Sequence, residues 1–106
     1  MAAAITCIAF ASAAAGMAKD EYKATRARIA AQYEADRQKC GAHLGHAAEL
    51  CVTRARGARD VAGAELEAAY KPGTRTHYDA AKARANADYA IARKECENQK
   101  DAARSA

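Results

Sequence analysis

Residues 22–51 read YKATRARIAAQYEADRQKCGAHLGHAAELC. Tyr22, Ile29, Tyr33 and Cys40 are spaced so that, at about 100° per residue, all four fall within about 20° of one line along a helix. Stepping forward from Cys51 by the same intervals reaches Ala58, Ala62 and Ala69. An antiparallel hairpin closed by a Cys40–Cys51 disulfide would therefore lay each large residue opposite an alanine. Large-on-small alternation lets two helices approach closely enough for a disulfide, whose Cα atoms must lie within about 7 Å. The segment between the cysteines holds Gly41 and Gly45, suited to stopping a helix. Closing so short a loop is expected to contribute about 3 kcal/mol in an oxidising compartment.

The same pattern recurs downstream. Residues 78–96, YDAAKARANADYAIARKEC, align without gaps on residues 22–40, with Tyr78, Tyr89 and Cys96 matching Tyr22, Tyr33 and Cys40. Two tyrosines and a cysteine at identical spacing point to an internal duplication. Each of the four tyrosines in these two segments has a base four residues on: Arg26, Arg37, Lys82 and Arg93. Such pairs shield the ring and add a few tenths of a kcal/mol. Between the copies, Lys71-Pro72-Gly73 is a firm break. Thr76 with Asp79 resembles a capping box, which predicts a third helix over 77–106. A complete second copy would require a cysteine at position 107, so Cys96 is left without an evident mate. The expected organisation is an all-α chain: a stapled hairpin over 19–71, a break over 72–76, and a third long helix carrying the truncated repeat. Packing of coiled-coil type is expected for such helices.

Composition supports helix and excludes much else. Alanine accounts for 33 of the 106 residues, and Ala with Lys, Arg, Glu and Gln is the vocabulary of strong helix formers. After residue 18 the large aliphatics are only Ile29, Leu44, Leu50, Val52, Val61, Leu66 and Ile91. That is too few for a sheet-based enzyme domain or a deep apolar cofactor pocket. No cofactor is expected. The formal charge is +4 from 17 basic and 13 acidic residues. Their signs are interspersed, which favours an ion-paired helix surface over a polyanion-binding patch.

Residues 1–18, MAAAITCIAFASAAAGMA, carry no charged side chain. Small residues suit cleavage near Ala15 or Ala18, and the stretch is short for a membrane span, so it reads as a signal peptide. It lacks the usual basic start. Cys7 follows Thr6, a poor setting for lipoprotein processing.

Few constellations carry chemistry. Cys40, His43, His46 and Cys51 could converge as a metal site, but the spacing is not a standard zinc pattern and the disulfide already accounts for both cysteines. No metal site is therefore assigned. His77 reads as a solvated residue at a helix start. Arg54, Arg56 and Arg59 form the densest basic run and are the candidate contact for an anionic membrane surface or nucleic acid. No aromatic is interleaved to stack on bases, which disfavours nucleic acid. There is no nucleophile motif and no phosphate-cradling loop, so no catalytic residue is assigned and the chain is read as non-enzymatic.

The start KDEYKA (19–24), the Y-x10-Y-x6-C unit and the C-x10-C staple resemble a family of small Ala/Lys-rich proteins exported to the periplasm or cell envelope of Gram-negative bacteria, some labelled TolA-like. Three departures stand out: the second Cys-x10-Cys is incomplete, the signal lacks its basic start, and His43–His46 replace the usual turn residues. The resemblance implies a periplasmic location and a helical shape, and no activity. The expectation is a non-enzymatic envelope protein of structural, interaction or stress-related role. The anionic-surface reading through the three arginines is the alternative, and metal binding by the Cys/His cluster a weaker one. The partner would be an envelope protein, or a second copy through Tyr78, Tyr89 and Cys96, a candidate intermolecular thiol.

Overall fold

The computed structural model describes residues 17–105, with side chains through Gln99. The candidate signal segment, its cleavage point near Ala15 and Cys7 lie outside the described residues. Among the described residues three helices follow one another: α1 (Lys19–Cys40), α2 (His46–Tyr70) and α3 (Thr74–Ser105). Among the described residues there is no strand.

Local sequence accounts for the ends. In α1, Asp20 and Glu21 occupy the first turn and Arg37 and Lys39 the last, each charge opposing the helix dipole at its end. Ala18 is extended and its carbonyl accepts the Tyr22 N–H, so α1 begins at the first charged residues. Gly41 keeps right-handed helical angles while its N–H bonds the Gln38 carbonyl. The reversal falls instead at Gly45, with φ of 59°, a conformation costly for any residue with a Cβ. At the second turn, α3 starts at Thr74, immediately after Pro72-Gly73 and earlier than the expected 77. The anticipated capping box does not form. Thr76 is already inside the helix, its hydroxyl donating to the carbonyls of Lys71 and Gly73, while Asp79 pairs with Arg75.

The hairpin is stapled by Cys40–Cys51, with Cα atoms 5.5 Å apart. Tyr22, Ile29 and Tyr33 are half-buried and Cys40 is buried, so the α1 stripe does face α2. The opposing line differs from the expected one. Ala62 is half-buried, but Ala58 and Ala69 are exposed, and the α1 side of α2 is built mainly from Ala55, Arg59, Leu66 and Tyr70. Tyr22 stacks on Tyr70 with ring centroids 4.3 Å apart. Arg59 lies over Tyr33 at 4.3 Å, with Arg37 on the same ring at 5.8 Å. The reason is that α2 has two neighbours. Relative to Cys51, Ala55 and Leu66 lie about 40–60° to one side, whereas the α3-facing residues lie about 100° to the other. Ala58 and Ala69 fall in the open angle between them.

That second neighbour rests on alanine. Thr76, Ala80, Ala83, Ala87, Ala90, Lys94 and Glu97 are the less exposed positions of α3, together with Ile91. Their spacing alternates between four and three residues, which keeps one seam facing α2 along its length. Gly57 of α2 is buried, and a Cβ placed on it would come within 2.9 Å of the Ala87 Cβ. Ion pairs flank this seam: Arg54–Glu95 at 3.1 Å, Lys94–Glu49 at 3.7 Å, and Arg84–Glu65. α1 and α3 do not touch one another among the described residues. The result is an open arrangement with α2 in the middle, in which Cys40, Ala55 and Leu66 are the buried apolar side chains.

Candidate functional site: the outer face of the third helix

Because Thr76, Ala80, Ala83 and Ala87 turn α3 toward α2, the opposite face is presented outward. Tyr78, Ala85, Tyr89, Ala92 and Cys96 occupy that face. All five are exposed, Tyr78 at 62% and Tyr89 at 68%. The large exposed apolar side chains among the described residues are these two tyrosines and Leu44 at the hairpin tip. Cys96 is a free, exposed thiol. The matched segments thus have opposite fates: the first tyrosine–cysteine stripe is consumed in the hairpin, and the second faces solvent. In α1 the stripe meets a helix that carries the partner cysteine. In α3 the alanine seam, on the other side, takes up α2.

Beside this face runs a groove between α2 and α3 of about 550 Å³, lined by Arg56, Asp60, Asn86, Tyr89, Arg93 and Glu97 among others. It is open rather than enclosed and mixes both charge signs. Arg93 pairs with Glu97 at 3.8 Å along the helix. Arg56 has no ion-pair partner within 4.0 Å among the described residues. The groove is a surface on which a partner could lie, with no dry interior to shield a reacting group.

The three candidate anion contacts are not gathered into one patch. Arg54 pairs with Glu95 on α3, Arg59 pairs with Asp60 at 3.1 Å and covers Tyr33, and Arg56 lies on the groove. Successive positions 54, 56 and 59 are about 200° and 300° apart on a helix, so one surface cannot meet all three squarely. The cysteine–histidine cluster fares no better as a metal centre. Cys40 and Cys51 are bonded to each other and offer no thiolate. Among the described residues no group of three or more His, Cys, Asp or Glu is placed to hold an ion. His43 is exposed beside the disulfide, His46 is half-buried with an unpartnered Nε2, and His77 is exposed at the start of α3.

One tyrosine has perturbed chemistry. The Tyr22 hydroxyl donates to the Glu67 carboxylate, and this bond, with slight desolvation and the nearby negative charge, raises its pKa above 10.0. The shift reflects the contact between α1 and α2 in the hairpin. Tyr70, on which Tyr22 stacks, lies outside both tyrosine–cysteine segments, so their spacing gives no sign of it.

No protein-family model matches the chain, and comparison with curated proteins and with solved structures returns no significant match. No helix of the described residues is long and apolar enough to cross a membrane.

Proposed function

We propose that this chain is a non-enzymatic helical protein of the periplasm or cell envelope that works as an interaction module, docking a partner on the outer face of α3. The observation that supports it is the exposed Tyr78–Tyr89–Cys96 line, on the side of α3 opposite its packing seam. Tyrosine supplies large contact area with a polar tip and loses little side-chain entropy, which is why it is enriched at interfaces. The disulfide favours an oxidising compartment. Residues 1–18, the resemblance to small exported Ala-rich proteins and the Cys40–Cys51 bond converge on export, after cleavage near Ala15 or Ala18.

The test is a photo-reactive amino acid in place of Tyr89, in cells making the full chain. Discrete adducts are expected from position 89 and not from Glu34, exposed on α1. Equal labelling from both positions, or none from 89, would remove the reading. Mass measurement of the chain recovered from the periplasm tests export independently, since a chain retaining residues 1–18 in the cytoplasm contradicts it.

A further inference from the structure

Resting on the interaction reading above, we infer that the partner on the outer face of α3 is a second copy of this chain. The two α3 helices run parallel about a two-fold axis and are joined by a Cys96–Cys96 disulfide. The face has the 4-3 spacing of a helix–helix seam: Tyr78, Lys82, Ala85, Tyr89, Ala92 and Cys96. In a parallel pair each of these meets its own counterpart, so Cys96 meets Cys96, as an isologous contact requires. In an antiparallel pair, centred on the middle of the face, the two cysteines lie far apart.

The flanking charges select the same orientation. In a parallel pair, a residue beside the seam faces the one five positions on in the partner helix. Asp88 on one flank thereby faces Arg93 on the other flank of the second copy, and the symmetry makes the contact twice. Both side chains are exposed, and the Arg93–Glu97 pair at 3.8 Å is loose enough to be exchanged. An antiparallel pair would instead set Asp88 against Asp88 across its axis, and the Asp79 it brings opposite Arg93 is already paired with Arg75. Lys82 faces Lys82 across the axis, a feature that weakens a two-stranded seam while fixing its register; its long stem can carry the ammonium outward. Among the described residues nothing blocks the approach, because α2 lies on the far side of α3 and α1 does not reach it.

A seam of this length buries on the order of 1,000 Å², the lower limit for a specific interface. The non-covalent pair is accordingly weak, and the cysteine holds it. The thiols are oxidised by exchange with a low-molecular-weight disulfide. One Cys96 thiolate attacks it, forming a mixed disulfide and releasing one thiol; the second chain's Cys96 thiolate attacks the protein sulfur and releases the other. Two protein thiols are oxidised, and one small disulfide is reduced to two thiols.

The full chain is equilibrated with oxidised and reduced glutathione and resolved by non-reducing electrophoresis and mass spectrometry. The expected product is a dimer linked Cys96–Cys96, with Cys40–Cys51 intact. Cys96→Ser removes the covalent link, and Cys96→Ser with Tyr89→Cys restores one. Cys96→Ser with Arg84→Cys, off the seam, links at least about fivefold more slowly. Asp88→Arg slows wild-type linkage about fivefold, and adding Arg93→Asp recovers it. Circular dichroism of each variant checks that the helices persist. A product confined to the glutathione mixed disulfide, or equal linkage through positions 84 and 89, overturns the parallel dimer. If the chain stays monomeric while position 89 still captures another protein in cells, the second-copy proposal fails and the interaction reading survives. If position 89 captures nothing and no dimer forms, both fail.

Discussion

Replacing Gly57 by alanine probes the contact on which the position of α3 depends. In the middle of a helix the change alone should stabilise by about 1 kcal/mol, since alanine restricts the unfolded chain and favours helix. At Gly57, however, the new Cβ would sit 2.9 Å from the Ala87 Cβ. Neither atom belongs to a flexible side chain, so the helices themselves must separate. Overpacking of this kind costs about 1–3 kcal/mol. Gly63, also within α2, has nothing within 4 Å of an added Cβ and serves as the reference. Gly63→Ala is expected to gain about 1 kcal/mol, and Gly57→Ala to fall below it by about 1–3 kcal/mol. In thermal unfolding followed by circular dichroism, each kcal/mol corresponds to about 4–8 °C for a chain of this size. Ala87→Gly in the Gly57→Ala background should recover part of the loss, a positive coupling between the two positions. Equal stabilisation by both glycine replacements would refute the close α2–α3 approach.

Other consequences are checked more briefly. Reducing Cys40–Cys51 should cost about 3 kcal/mol from loop closure, seen as lower helicity and an earlier thermal transition; an unchanged melt with reductant would show the staple to be idle. Leu66→Ala should destabilise by about 2–4 kcal/mol, since Leu66 is the largest of the buried apolar side chains at 6% exposure; denaturant midpoints measure it. The raised pKa of Tyr22 means that the folded state favours the neutral phenol. The associated stability is complete below about 10, the unfolded value, and is lost as pH rises through the folded value; Glu67→Gln should lower the ultraviolet titration of Tyr22 toward 10. Arg84→Ala removes an exposed pair with Glu65 and should change stability by less than about 1 kcal/mol.

The hairpin was legible in the chain because cysteines and tyrosines are rare there and their intervals are informative. Seven-, eleven- and eighteen-residue steps put Tyr22, Tyr33 and Cys40 on one line whatever the surroundings. The place of α3 was not legible. Its seam is written in Ala80, Ala83, Ala87 and Ala90, and alanine is everywhere in this sequence, so a functional alanine looks like any other. The one sharp clue was Gly57, a glycine within a run of helix formers whose absent side chain admits Ala87. The same ambiguity misplaced the α1-facing line onto Ala58 and Ala69. For the candidate surface, sequence supplied the residues Tyr78, Tyr89 and Cys96, and their common stripe, but not their exposure.

Three helices, the staple, the break at Pro72-Gly73 and the line of tyrosines on α3 are local or pairwise properties: propensity, turn chemistry and a fixed angular step decide them. Which side of each helix meets which neighbour is a competition among faces of nearly equal apolarity, and only the assembled structure resolves it. There the disulfide positions α1, close packing of Gly57 on the alanine seam positions α3, and Arg54–Glu95 and Glu49–Lys94 support that placement. On α3, burial of the alanines left Tyr78 and Tyr89 outside. The tyrosine stripe that closes the first hairpin is therefore, in its second occurrence, a free surface with a thiol on it.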